Sequence, residues 1–131
     1  TGYGAYVRDY MPLGALLTAA DYIQAMRRRR ELCSELAAVF RDVDVLVMPN
    51  HPSTAPLIAD VDKSKYLIGP FRGMPFNLSG GPALSVCIGY NSEGLPFSLQ
   101  IAGKPFDDAT VLRVGHAYER SVPWCERRPA L

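Results

Sequence analysis

Long apolar runs are missing from this 131-residue sequence: no stretch approaches the roughly 18 apolar residues that suggest a membrane-crossing helix. An excess of one charge is missing too. Fourteen Lys and Arg oppose thirteen Asp and Glu, for a net +1. That balance supplies neither the field that draws nucleic acid nor one that draws an anionic membrane. Cysteine is sparse and odd in number, with Cys33, Cys87 and Cys125 far apart. Neither a disulfide framework nor a zinc knuckle is expected from that pattern; reduced thiols in a cytoplasmic protein are. No basic-then-apolar leader opens the chain, so secretion is not expected. Thr1 stands where an initiator methionine would, which suits a processed product or a fragment.

An activated nucleophile is also missing. His51 and His116 are the only imidazoles. His116 lies mid-helix beside Gly115, a packing or surface position. His51, in "PNHPSTAP", follows a strand's end, where α/β proteins often place functional groups, but no carboxylate and nucleophile accompany it. Cys87 sits inside an apolar strand, which makes a thiol inert. Ser64 stands between Lys63 and Lys65, yet a Ser–Lys dyad needs a desolvated lysine within reach of the hydroxyl. A solvated loop is expected there. The four arginines Arg27 to Arg30 turn about 100° per residue and cannot make one basic stripe; Arg27 is spaced to pair with Glu31. "SGGP", Ser79 to Pro82, leads into a strand, whereas phosphate loops leave a strand and open a helix. It reads as a tight turn with a close backbone approach. No catalytic, metal-binding or cofactor-binding residue is assigned.

What is present is an ordered series of elements. Thr1 to Gly14 reads as an opening loop with a short helical turn. "TAAD" is a capping-box pattern with Thr18 at the N-cap and Asp21 three residues on. Tyr22, Met26, Cys33, Leu36 and Phe40 then recur at three- and four-residue steps, broken at Arg29, which predicts a long amphipathic helix. Val45 to Met48 is a short apolar run ended by proline, predicting a strand buried on both faces in a mostly parallel sheet. From Asn50 to Pro82 periodicity is lost, and a long loop is expected. Its aromatic residues argue against disorder. Leu84, Val86 and Ile88 alternate with small residues, "NSEGLP" turns the chain, and Phe97, Leu99 and Ile101 alternate in return, predicting a hairpin. Asp107 or Asp108 opens a second helix with Val111, Val114, Gly115 and Tyr118 on one face, closed by Pro123. No repeat and no linker divides the chain, so residues 1–131 read as one domain or part of one.

Five fragments, in order, carry a resemblance: "ADYIQAMRRRR", "DVDVLVMPNHPSTAP", "PFNLSGGPALSVCIG", "GLPFSLQIAG" and "FDDATVLRVGHAYERSVPW". Together they cover about Thr18 to Arg128 and resemble the C-terminal portion of amidase-signature enzymes. The resemblance implies an α/β/α fold with a mixed central sheet, of which this chain is a segment. It implies hydrolysis of amide carbon–nitrogen bonds without a cofactor, by a lysine and two serines. None of those three aligns with a residue here; all belong upstream. Cys87 replaces a usual proline, and Phe97 and Ser98 stand where a small aliphatic residue and glycine are common. Gly69 and Pro70 occupy the neighbourhood where ammonia-delivering members carry an acidic residue, which favours a general amidase.

The same resemblance makes the loop from Asn50 to Pro82 a pocket wall. Tyr66, Phe71, Met74 and Phe76 are its substrate-binding candidates, with packing beneath the loop as the competing role. The expected partners are a small-molecule amide and either the remainder of the amidase domain or a second copy, with no nucleic acid and no membrane. Three predicted strands leave sheet edges needing cover. A stand-alone α/β binding or interaction module without catalytic activity is the alternative from another class.

Overall fold

Thr18 opens the first long helix as its sequence predicts. The Thr18 hydroxyl accepts from the Asp21 backbone N–H at 3.2 Å, and the Asp21 carboxylate accepts from the Thr18 N–H at 2.8 Å. Two orphan donors are thereby satisfied. The computed structural model of the chain describes residues 2–4, 7–8, 11–61 and 73–127. Among these, helix α1 (Ala19–Val39) is preceded by a 3₁₀ turn, Met11–Leu16, that runs past the expected loop boundary at Gly14. Helix α1 meets the described protein body along its C-terminal half, from Arg29 onward. There half-buried Leu36 and buried Phe40 pack with Phe76, Ala102, Leu46 and Met48. None of the 21 residues of α1 is itself buried.

Two details of the arginine run differ from expectation. Arg28, not Arg27, pairs with Glu31, at 2.9 Å across an i,i+3 spacing that reaches as well as i,i+4. Arg29, the break in the stripe, donates from Nε to the Leu78 carbonyl at 2.6 Å.

Strand β1 (Val45–Pro49) departs from the prediction. It pairs with β3 (Pro96–Gly103), antiparallel, from Val45 opposite Gly103 to Pro49 opposite Leu99. The sheet order is β1-β3-β2, so β1 is an outer strand among the described residues. Val47 is 52% exposed because no described element covers it. A brief apolar run cannot distinguish a central parallel strand from the edge of an antiparallel trio.

The expected loop is also more ordered than its sequence suggests. It holds a 3₁₀ turn, Ile58–Asp60, and a short helix α2 (Met74–Ser79) that admits Pro75 in its first turn. Gly80 ends α2 in the left-handed region at φ 76°, and its N–H returns to the Phe76 carbonyl. Residues 62–72 lie outside the described residues.

The hairpin forms where the sequence predicts it. Strand β2 (Ala83–Tyr90) pairs with β3, with a bulge between Cys87 and Gly89. Asn91 builds the turn: its side-chain oxygen accepts from the N–H groups of Glu93 and Leu95 at 3.0 and 2.9 Å. Helix α3 (Asp108–Ser121) is capped by Asp107, which accepts from the Thr110 N–H. Its apolar face joins Val86 and Ile101 in a second cluster, so β3 alternates between two cores: Ile101 faces α3 and Ala102 faces Phe40 and Phe76. Gly115 brings α3 so close to the sheet that a Cβ there would overlap Leu84 Cδ2. Beyond α3 a 3₁₀ turn, Pro123–Glu126, lies against the end of β2. Trp124 meets Tyr90 edge-on at 6.0 Å, and the Arg127 guanidinium stacks 4.0 Å from the Tyr90 ring centre.

Candidate functional site

The end of β1 and the beginning of α2 bring polar side chains together on one face of the sheet. Asn50 follows β1; its N–H donates to the Ser98 carbonyl at 3.0 Å, and its side-chain amide to the Ser85 hydroxyl at 3.4 Å. One residue thus stitches across all three strands. Gln100 lies on the same face at 6% exposure, and its Nε2 is buried without a partner among the described residues. Gly73, the N-cap of α2, passes so close that an added Cβ would sit 3.3 Å from the Gln100 side-chain oxygen. Gln100 thus forms a polar floor beneath the first turn of α2.

Among the described residues no serine is held by a lysine. The Ser85 hydroxyl meets an amide, not a base. Lys104 is the only lysine among the described residues, and its ammonium is bound to Asp44 at 3.1 Å. Lys63, Ser64 and Lys65 lie outside the described residues. His51 is exposed and its Nδ1 folds back on Ser53, 3.3 Å from the backbone nitrogen and 3.2 Å from the hydroxyl. That contact is a local turn, without the third, orienting group of a triad. Cys33 and Cys87 are free thiols. Among the described residues no group of His, Cys, Asp and Glu could hold a metal ion. Among them also no helix is long and apolar enough to cross a membrane.

Of the four pocket candidates, Tyr66 and Phe71 lie outside the described residues. Met74 and Phe76 part ways. Positions two apart on a helix differ by about 200°, so one faces out when the other faces in. Met74 is 46% exposed, whereas Phe76 is 3% exposed and packs against Phe40 and Ala102. Met74 is therefore the described candidate free to meet a ligand. Sequence reasoning missed Gln100 and the Arg29 anchor; the break at Arg29 in an otherwise regular stripe was the available signal.

A cavity of about 60 Å³ between α1 and the Ser79–Gly81 turn, lined by Cys33, Leu36 and Phe40 among others, has room for a water or two and no substrate. Larger grooves beside Leu17 and Tyr22, and beside Leu57 and Ile58, are open and mainly apolar.

Known proteins place these pieces. Residues 2–112 match the Amidase family model. The chain is 40% identical to a glutamyl-tRNA(Gln) amidotransferase subunit of Chloroflexus aggregans, over 99% of this chain and 28% of that protein. It is 39% identical to a fatty acid amide hydrolase of Medicago truncatula, over 93% of this chain and 21% of that protein. The crystal structure of the corresponding glutamyl-tRNA(Gln) amidotransferase subunit from Thermotoga maritima superposes with a TM-score of 0.72 at 32% identity, covering 95% of this chain and 28% of that one. The chain thus spans under a third of the length of these relatives. A helix-flanked sheet, five ordered fragments and a family match over most of its length together make this chain a member of the amidase family.

Proposed function

We propose that this chain is the C-terminal portion of an amidase that hydrolyses amide carbon–nitrogen bonds, with the bond-breaking groups supplied by the rest of the domain. The observation that carries this reading is a family match over residues 2–112 joined to the lack, among the described residues, of any serine or cysteine held by a lysine or by an oriented imidazole. In the mechanism the family resemblance implies, a neutral lysine takes the proton of a bridging serine, which takes that of the nucleophilic serine. The nucleophile attacks the amide carbon, and backbone N–H groups hold the resulting oxyanion. The amine leaves with a proton, and water releases the acyl group. This chain contributes strands and a pocket wall, with Met74 at its exposed edge and Tyr66 and Phe71 earlier in the same loop. The substrate is a small amide met in the cytoplasm, and the reading favours a general amidase over ammonia delivery.

The test is reconstitution. The chain alone, and the chain combined with the portion of the Chloroflexus protein that it does not match, are assayed for release of amine from small aryl and alkyl amides. Turnover is expected only in the combination. Turnover by the chain alone, or none from a well-formed combination, refutes the proposal. The latter result would favour the stand-alone binding module.

A further inference from the structure

Among the described residues Gln100 is the buried polar side chain, and its Nε2 has no partner. An orphaned amide inside a protein is unfavourable, whereas an apolar side chain of the same shape is close to neutral or better. Stability therefore gives no reason for glutamine here. Its surroundings do. In the strand register Gln100 lies between Met48 of β1 and Ser85 of β2, and the Ser85 hydroxyl is engaged by Asn50. Against it stands Gly73, where an added Cβ would come 3.3 Å from Gln100 Oε1. Gly73 has φ −74° and ψ −15°, a conformation open to any residue. The absent side chain at position 73 thus serves the close approach, not the backbone.

Helix α2 is fixed at two further points. Arg29 Nε holds the Leu78 carbonyl at 2.6 Å near its C-terminal end, and Phe76 packs against Phe40 and Ala102 in its middle. With these points pinned, a displacement of a few tenths of an ångström at Gly73 tilts the first turn instead of moving the helix. Met74 is the exposed side chain which that turn carries. We propose that Gln100 is a positioning residue for the substrate pocket: through its contact with Gly73 it sets the height of the first turn of α2, and so how far Met74 reaches toward the substrate. The inference depends on the reading of this chain as part of an amidase with Met74 in its pocket wall. One methylene in an apolar pocket changes discrimination about tenfold or more. The Gly73–Gln100 spacing is accordingly a determinant of the chain length that the pocket accepts.

The test uses the 131-residue chain, by itself and combined with the portion of the Chloroflexus aggregans protein that it does not match. Gly73→Ala crowds Gln100, and Gln100→Asn withdraws the amide by one methylene. The substrates are small amides lengthened one methylene at a time on either side of the carbonyl. In the combination Gly73→Ala raises KM about threefold to tenfold with kcat unchanged, because a displaced wall weakens ground and transition state alike. Gly73→Ala with Gln100→Asn returns KM to within about twofold of wild type, a non-additive rescue. Gln100→Met, of similar length and apolar, keeps or raises the urea midpoint while shifting the preferred chain length. A glutamine with only a structural role would leave that preference where it was. The Met74 methyl resonance in the chain by itself reads the geometry without turnover: Gly73→Ala displaces it and the double variant restores it. Circular dichroism checks that each variant stays folded. Additive effects of the two substitutions, on KM or on the Met74 resonance, overturn the inference. So does an active combination whose KM and length preference ignore all three variants. A combination that never turns over sinks the function, and the Met74 resonance then decides the inference.

Discussion

Phe76→Ala distinguishes packing from substrate contact at one of the pocket candidates. Phe76 is 3% exposed, so nearly all of its transfer free energy is lost on truncation. Burying such a side chain is worth about 1.5–3 kcal/mol, and the space left behind raises the cost to about 3–5 kcal/mol. The neighbours set where in that range the value falls. Ala102 is on a central strand and cannot follow, but Met48 is half-buried and flexible enough to fill part of the gap. About 3 kcal/mol is expected. With a urea slope of about 1.5 kcal/mol per molar, the unfolding midpoint falls by about 2 M, while Phe76→Leu loses under half as much. Urea titration followed by circular dichroism reads both. An unchanged midpoint for Phe76→Ala refutes the core assignment; if the same variant raises KM in the reconstituted amidase, Phe76 is a substrate contact.

Two further substitutions test local devices. Thr18→Ala removes the N-cap of α1 and costs about 1 kcal/mol, read as a lower thermal midpoint and less helix. The Thr18 hydroxyl, and then its backbone N–H, hold the Asp21 carboxyl below the usual carboxylate range. The cap therefore stabilises above the unfolded aspartate pKa of about 3.9 and is lost as pH falls through the lower folded value. In Thr18→Ala only the backbone N–H still holds the carboxylate, so a pH titration of helix content shows a weakened acid limb; an unchanged limb would contradict the capping geometry. Gly80→Ala meets no atom within 4 Å, so its cost is purely that of the left-handed backbone, about 1–2 kcal/mol. A neutral outcome in chemical denaturation would place Gly80 outside that region.

The sequence is most legible where structure is local. The box at Thr18 and Asp21, the Asp107 cap, the hairpin and the Val111–Tyr118 face each depend on spacings of a few residues, and each is found. Pairing between distant segments is not legible. Nothing in "VLVMP" names Gly103 to Leu99 as its antiparallel partner, and its apolar run points to a different kind of sheet. Helix α2 escapes because six residues are less than two turns and give no period. The same blind spot governs the pocket: Met74 and Phe76 look equivalent in a loop and become opposites once a helix forms.

The margins of the sheet carry a consequence for cellular handling. Among the described residues, Val45–Met48 and the start of β2 each show an unpaired row of peptide groups, a template on which a foreign strand can zip. The molecule blunts these margins only at their ends, by proline at position 49 on one side and by the kink at Cys87–Gly89 under Trp124 on the other. Where a foreign strand does pair, the Val45 and Ala83 ends are the expected points of first contact, and a charged residue introduced at either is expected to slow aggregation.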